Sequence, residues 1–223
     1  MPMGSQNSMD ELPTEFPVFP LGGALLLPQG KLPLNIFERR YLAMVEDALA
    51  SGRVIGMVQP DESRPGTPSG PALYKVGCLG RLSSFSEADD GRYLITLTGM
   101  VRFVVSVELE MRRGYRRVRA DLARFRSDLD GKPSTQGIDR EKLTQALRIY
   151  FVARGFDANW DAINEMPDDA LVTTLAMVCP FDPAEKQALL EAPKSVDRAS
   201  TLLTLLQMGA HSSDDGREGR QAS

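Results

Sequence analysis

The strongest constraint on the fold is a change of sequence texture near residue 130 of this 223-residue chain. Before that point, short runs of β-branched and aromatic residues are separated by Gly and Pro, a pattern typical of strands joined by turns. After it, apolar residues recur every three or four positions, which is the spacing of amphipathic helices. We therefore predict an α+β protein with a β-rich first part and a helical second part.

The first part is expected to form a small barrel or sandwich of about six short strands with mixed pairing. The clearest strand covers 101–109, where apolar residues alternate. A helix is predicted over 38–51 and a buried strand over 54–58, whereas the Pro/Gly/Ser-rich stretch 60–71 is expected to be a mobile loop. The pair Arg113-Gly114 predicts a turn that leads into another strand.

The second part is expected to be a bundle of four or five helices. A capping box is predicted at Asp182 and a helix end at Gly209. The predicted organisation is a flexible leader at 1–13, a β-rich subdomain at 14–130, a helical subdomain at 131–209 and a disordered tail at 210–223. The stretch 127–135 has the composition of a linker.

Composition excludes several classes of protein. The net charge of −4 argues against a general nucleic-acid binder, and no apolar run reaches the 18 residues of a membrane span. Because no signal peptide is evident, we expect a cytoplasmic protein without a membrane partner. The two cysteines, Cys78 and Cys179, exclude a disulfide-stapled fold and are expected to be buried, and the single histidine, His211, excludes a multi-histidine metal site.

The sequence lacks the common catalytic motifs. The pairs Gly30-Lys31 and Gly131-Lys132 have neither the leading glycine nor the following Ser or Thr of a phosphate-binding loop. There is no G-x-S-x-G motif, and Asp89-Asp90 precedes Gly91 in what reads as a hairpin turn. We therefore expect a protein that is not an enzyme and that carries no cofactor and no metal.

The one unusual charge feature is the stretch 102–126, which contains eight arginines and three acids, a net charge of +5. Its hairpin, 112–126, could follow a phosphate backbone or an acidic partner. Alternatively, its charges belong to a solvated edge that discourages aggregation. RNA binding is thus the second hypothesis for function, although nucleic acid is not the favoured partner. The residues assigned to an anionic partner are Arg112, Arg113, Arg116 and Arg117.

A resemblance to a known family enters at 15–60. The matching pieces are Pro17-x-Phe19-Pro20-Leu21, Leu27-Pro28 and Pro33-Leu34-x-Ile36-Phe37-Glu38-x-Arg40-Tyr41. This block resembles the N-terminal substrate-recognition domain of the Lon proteases. Weaker pieces follow in the same order at Val76-Gly77-Cys78, Leu97-x-Gly99-x-x-Arg102-Phe103 and Glu185-Lys186-Gln187-x-Leu189-Leu190-Glu191, so that the similarity covers about 14–209.

The resemblance implies a PUA-like β pseudo-barrel with one inserted helix, followed by an α-helical bundle. It also implies a polypeptide-binding module for unfolded or hydrophobic segments. Because the sequence has no Walker motif and no protease module, we expect a stand-alone, non-enzymatic form, acting as an adaptor for a separate ATPase or protease.

The binding surface is expected at an exposed sheet edge or in an apolar groove. The residues assigned to it are Phe37, Met57, Phe85 and Tyr93. Most of the matched block, including Arg40, which is expected to pair with Glu38 or a strand carbonyl, is interpreted as determining the fold.

Overall fold

The computed structural model describes residues 12–130 and 137–218. These residues form two compact units, the first within 12–130 and the second within 137–218. The first unit combines strands with one long helix, and the second is helical, which confirms the predicted α+β class.

The first unit contains six strands and helix α1, close to the number predicted. The elements are β1 (Glu15–Pro20), β2 (Lys31–Ile36), α1 (Arg39–Ala50), β3 (Val54–Val58), β4 (Val76–Glu87), β5 (Tyr93–Arg112) and β6 (Tyr115–Asp121). The β5–β6 turn has positive φ at Arg113 and Gly114, as the sequence predicts.

The strands close into a pseudo-barrel. Their order is β2-β5-β4-β3-β1-β6, and β6 also pairs with β5. Strands β1 and β3 run parallel, and all other neighbours are antiparallel. Closure is achieved because β5 is 20 residues long: its first half pairs with β2 and β4, and its second half pairs with β6. Strand β2 therefore lies outside the closed ring and forms an edge.

Two aromatic rings fill the barrel interior. Phe16 on β1 and Phe103 on β5 pack edge to face with their centroids 5.0 Å apart. Gly77 on β4 makes this packing possible, because a Cβ atom there would lie 2.4 Å from Cζ of Phe103. The barrel core thus depends on large rings facing positions without side chains.

Strand β5 differs from its prediction in being continuous. The sequence predicts one strand at 92–99 and another at 101–109. In the structure the strand runs through Gly99, because a Cβ atom there would lie 2.0 Å from the backbone oxygen of Leu27. The glycine permits close approach of the Leu27 loop rather than ending the strand.

The end of the first unit is also more ordered than predicted. Strand β6 stops at Asp121, and a 3₁₀ segment over Ala123–Leu129 replaces both the end of the predicted strand and the start of the predicted linker. Its Asp128 returns to the barrel and binds Arg102 of β5. The linker prediction is therefore wrong for 127–130, and 131–136 lie outside the described residues.

The second unit contains five helices within the described residues. They are α2 (Arg140–Arg154), α3 (Trp160–Glu165), α4 (Asp168–Val178), α5 (Pro183–Glu191) and α6 (Ser195–Glu218). The caps agree with the sequence: Asp139 accepts the Lys142 amide, Gly155 ends α2 in a left-handed conformation, and Asp182 and Glu185 form a capping box.

Helix α6 is longer than predicted. Gly209 was expected to end it, but the helix continues to Glu218, into the segment predicted as a disordered tail. Within the helix, Gly209 lies against Tyr150 of α2, where a Cβ atom would be 2.6 Å from the ring. This glycine serves close packing between helices, which local sequence cannot distinguish from a helix end.

Candidate polypeptide-binding site

Two of the four residues assigned to polypeptide binding are in contact. Phe85 at the end of β4 and Tyr93 at the start of β5 pack edge to face, with centroids 5.1 Å apart. Phe85 is 40% exposed, and the Tyr93 hydroxyl donates to Oε1 of Glu46 on α1 at 3.3 Å. The pair is thus an aromatic surface with a polar margin.

Phe37 lies at the same end of the sheet. It follows Ile36, which pairs with Tyr93 in the β2–β5 register, and it is 67% exposed. We call Phe37, Phe85 and Tyr93 the aromatic patch because they share this end of the sheet, and the ring contact within it is between Phe85 and Tyr93. Large exposed rings at one place on a domain are a feature that proteins usually avoid unless the surface binds a partner.

Met57 belongs to the core instead. It lies on β3 between Phe19 of β1 and Cys78 of β4 in the strand register, and it is almost fully buried. Every residue of β3 is buried, so the run VIGMV carries no alternation from which one outward residue could be chosen. The structure therefore does not bring Met57 to the surface with the aromatic patch.

The sheet edge at β2 is poorly suited to pairing with another strand. Strand β2 pairs only with β5 among the described strands, so its other side is open. Lys31 and Pro33 both lie on it and are exposed, and Pro33 has no amide hydrogen to donate. Lysine and proline are residues that protect edge strands from unwanted pairing.

The hairpin arginines are bound to acids from other parts of the first unit. Arg112 and Arg113 contact Asp47 at 3.2 and 3.0 Å, and Arg113 also contacts Glu46 at 2.7 Å. Farther along the hairpin, Arg117 and Arg119 both contact Glu15 of β1.

Arg116 is the most enclosed of the four arginines assigned to an anionic partner, with a side chain 6% exposed. It contacts Glu108 at 2.7 Å and donates to the Pro71 carbonyl at 2.7 Å. Glu108 is already counted in the net charge of +5 over 102–126, whereas Asp47, Glu46 and Glu15 lie outside that stretch and offset part of its charge.

Asp47 connects α1 to the hairpin through hydrogen bonds. The Tyr115 hydroxyl donates to its Oδ2 at 2.6 Å, and this bond, together with Arg113, lowers the pKa of the carboxyl. Burial, followed by the nearby Asp47, raises the pKa of Tyr115 to about 12. Both shifts favour the ionised carboxylate and the neutral phenol that the hydrogen bond requires.

A small pocket lies beside the end of the 60–71 loop, and it was not predicted from the sequence. We call it the proline pocket: a half-enclosed cavity of about 130 Å³. Its lining includes three prolines, two tyrosines and two arginines: Pro20, Pro60, Pro71, Tyr41, Tyr115, Arg40 and Arg116. Backbone hydrogen bonds between Thr67 and Gly70, and the Arg116 bond to Pro71, hold the loop in place.

The signal for this pocket was present but ambiguous. Pro20, Arg40 and Tyr41 all occur in the block that carries the family resemblance, where they were interpreted as determining the fold. Arg40 does pair with Glu38, at 2.8 Å, which is one of the two predicted partners. Its guanidinium also lies over the Tyr41 ring, 4.6 Å from the centroid. Only the folded structure shows that the remaining walls come from the 60–71 loop and β6.

The described residues do not meet the requirements of metal sites, reactive thiols or membrane-spanning helices. No group of three or more His, Cys, Asp or Glu side chains is placed to hold a metal ion there. Both cysteines are buried thiols, as predicted, and burial raises the pKa of Cys179 to about 12. None of the described helices is long and apolar enough to cross a membrane.

The first unit is thus a closed β pseudo-barrel with exposed aromatic residues at one end of its sheet, and the second unit is helical. The family model of the ATP-dependent protease La (LON) substrate-binding domain matches residues 15–208. The chain therefore belongs to the Lon substrate-binding domain family.

Relatives in sequence and structure agree with this assignment. Lon protease 2 of Myxococcus xanthus is 28% identical over 142 residues, which is 64% of this chain and 16% of that protein. The Lon protease of Cytophaga hutchinsonii is 23% identical over 205 residues, 91% of this chain and 25% of that protein. The chain thus spans a quarter or less of these relatives.

Two solved structures share the fold. A Lon N-terminal domain protein from Xanthomonas campestris has a TM-score of 0.58 at 21% identity, over 85% of this chain and 97% of that one. The N-terminal domain of the Mycobacterium avium complex Lon protease has a TM-score of 0.59 at 15% identity, over 86% of this chain and 97% of that one.

Proposed function

We propose that this protein binds unfolded or hydrophobic polypeptide segments without catalysis of its own, and that the aromatic patch is its binding surface. The observation that carries the proposal is the exposure of Phe37 and Phe85 beside Tyr93 in a member of a substrate-binding family. Covering such rings with apolar side chains of a client removes apolar area from water, which is the main driving force for association.

The margin of the patch supports the same proposal. Glu46 accepts a hydrogen bond from the Tyr93 hydroxyl and also forms an ion pair with Arg113, so charged groups lie beside the rings. An apolar centre with a polar margin is the usual anatomy of a protein interface. Addition of a client strand at β2 is less favoured, because Pro33 offers no backbone donor at that edge.

An adaptor role is a further part of the proposal. The matched family model describes the substrate-binding domain of an ATP-dependent protease, which supports an ATPase or protease as the recipient of a captured polypeptide. We expect the purified chain neither to hydrolyse ATP nor to cleave the polypeptide that it binds. Turnover that persists through two independent purification steps would contradict the non-catalytic part of the proposal.

Binding to a permanently unfolded protein tests the aromatic patch. The probe is fluorescently labelled α-lactalbumin, reduced and blocked with iodoacetamide, and the full chain is titrated against it by anisotropy. The double variant Phe37→Ser/Phe85→Ser is expected to raise Kd at least tenfold, because two rings worth about 1.5–3 kcal/mol each on full burial are lost.

Phe156→Ser is the matched control. Phe156 is 43% exposed, close to the 40% of Phe85, and it also contacts other rings, but it lies in the second unit. This control is expected to leave Kd within twofold. Equal losses in both variants, or no loss in the double variant, would place the binding surface elsewhere.

RNA binding by the hairpin 112–126 is the alternative function, and the ion pairs of the hairpin arginines argue against it. Arg112, Arg113 and Arg117 would have to exchange their carboxylate partners for phosphates, and Arg116 is enclosed. We expect weak binding that falls steeply with salt. Tight binding at physiological salt that is abolished by Arg112→Gln/Arg117→Gln would instead favour the RNA hypothesis.

A further inference from the structure

The proline pocket has the dimensions of a single side chain. Its volume of about 130 Å³ is too small for a folded element, and its lining is polar and apolar in about equal parts, with the rings of Pro20, Pro60 and Pro71 forming apolar walls. Tyr41 forms a further wall, and its own ring packs against Phe19 with centroids 4.2 Å apart. Because the walls are rings anchored to strands and to the held loop, the pocket exists before any ligand arrives.

The charged side chains that line the pocket are both arginines, and each is paired with an acid outside the lining. Two arginines, Arg40 and Arg116, are among the described residues that line it, and no acid is. Arg116 is already occupied by Glu108 and by the Pro71 carbonyl. Arg40 is different: its side chain is 49% exposed and its two side-chain hydrogen bonds both go to one oxygen of Glu38.

The Arg40–Glu38 pair is readily exchanged. Both partners are close to half exposed, and surface ion pairs of this kind contribute little to stability because water competes for the charges. A carboxylate from a ligand can therefore take the place of Glu38 on the guanidinium at small cost. The guanidinium lies over the ring of Tyr41, which also lines the pocket, so the charge lies close to the pocket's apolar walls.

We infer that the proline pocket binds the C-terminal residue of a polypeptide, with an apolar side chain in the cavity and the α-carboxylate on Arg40. A terminal residue carries both groups on one Cα atom, which matches a small cavity that has both apolar proline walls and an exchangeable arginine in its lining. This inference rests on the proposed function, because it adds recognition of a chain end to a module that binds polypeptide. Acidic side chains beside an internal apolar residue offer the same chemistry and form a separate arm of the test.

The test compares three fluorescein-labelled decapeptides of Gly and Ser in anisotropy titrations of the full chain at physiological salt. The first ends in Leu with a free carboxylate, the second ends in the same Leu as an amide, and the third places Asp after an internal Leu and ends in an amide. We expect the free acid to bind about tenfold more tightly than its amide, as for one charge-assisted contact. The third peptide is expected to bind like the amide.

Three substitutions that each remove one charge are expected to change the preference for the free acid over the amide in different ways. Arg40→Gln is expected to abolish the preference for the free acid, and Glu38→Gln to increase it, because the competing carboxylate is removed. Arg39→Gln removes the same charge from the adjacent exposed position and is expected to leave the preference unchanged. This pair of neighbouring arginines separates a specific contact from a general effect of charge.

Each contrary outcome identifies what is wrong. Equal binding of the acid and the amide would overturn the inference, as would equal losses in Arg39→Gln and Arg40→Gln. Tight binding of the internal Asp peptide would overturn recognition of the chain end. Failure of the proposed function is distinguishable from failure of this inference. The proposed function is tested by the Kd of the wild-type chain and of Phe37→Ser/Phe85→Ser for unfolded α-lactalbumin, a measurement that does not involve the decapeptides.

Discussion

Arg102 and Asp128 form a buried bidentate ion pair that fastens the end of the first unit to β5. Nε and Nη2 of Arg102 donate to the two Asp128 oxygens, each at 2.8 Å, and the Arg102 amide donates to Oδ2 at 3.0 Å. The two side chains are only 3% and 9% exposed. The guanidinium also lies 4.4 Å from the centroid of Phe125, so the 3₁₀ segment covers it on two sides.

Asp128→Ala is expected to destabilise the protein by about 3–5 kcal/mol, because it leaves a buried guanidinium without its carboxylate. Urea unfolding followed by circular dichroism measures the change. Asp130→Ala, at an exposed position two residues later, is expected to stay within about 0.5 kcal/mol. Similar values for the two variants would show that the ion pair does not hold the segment.

The Tyr115–Asp47 hydrogen bond is expected to give stability a defined pH dependence. The pKa of Tyr115 is raised to about 12. The hydroxyl therefore contributes fully to the stability of the protein below the ordinary tyrosine pKa of about 10, and this contribution is lost as the pH rises to about 12. The lowered pKa of Asp47 means that its contribution is present above about pH 4 and is lost in more acid solution.

Urea midpoints measured from pH 3 to pH 12 test both arms. Tyr115→Phe is expected to reduce the loss of stability between pH 10 and pH 12. Asp47→Asn is expected to reduce the loss of stability below about pH 4. A wild-type alkaline slope retained in full by Tyr115→Phe would contradict the assignment of that slope to this hydroxyl.

Gly209→Ala is expected to destabilise the second unit, although alanine is the better helix former by about 1 kcal/mol. The added methyl group would lie 2.6 Å from the Tyr150 ring, and overpacking of this kind typically costs about 1–3 kcal/mol. Met208→Ala, at the neighbouring exposed position, is expected to change stability by less than about 0.5 kcal/mol. A more stable Gly209→Ala variant would mean that α6 does not approach Tyr150 so closely.

Tyr150→Phe is expected to be neutral or stabilising, unlike most substitutions of a buried tyrosine. Among the described residues, its hydroxyl is the buried side-chain polar atom that lacks a hydrogen-bond partner. Removing an unpaired buried hydroxyl relieves its desolvation cost, whereas removing a paired one loses a bond. Thermal unfolding measures the difference, and a loss above about 1 kcal/mol would reveal a partner such as an enclosed water molecule.

Local signals were sufficient for the elements themselves. The capping box at Asp182 was predicted because it depends on residues within one helical turn. Gly99 and Gly209 were misread for the complementary reason. Each faces a group from a distant part of the chain, so its function is invisible in local sequence.

The candidate site was predictable only in part. Phe85 and Tyr93 flank a recognisable hairpin turn, so their proximity follows from the sequence. The partners of the hairpin arginines do not, since Glu15 is separated from Arg119 by 104 positions. Charge counted along the sequence overstates the charge of a folded surface when the compensating acids come from other elements.

The position of β1 in the ring has a consequence for synthesis of the chain. Strand β1 lies between β3 and β6, and its Glu15 pairs in register with Arg119. On the ribosome, one side of the first strand therefore stays unpaired until the last strand has emerged, a long-range closure that slows folding. A nascent barrel of this design exposes an open strand for most of its own translation, so we expect arrest before residue 121 to leave a form prone to aggregation.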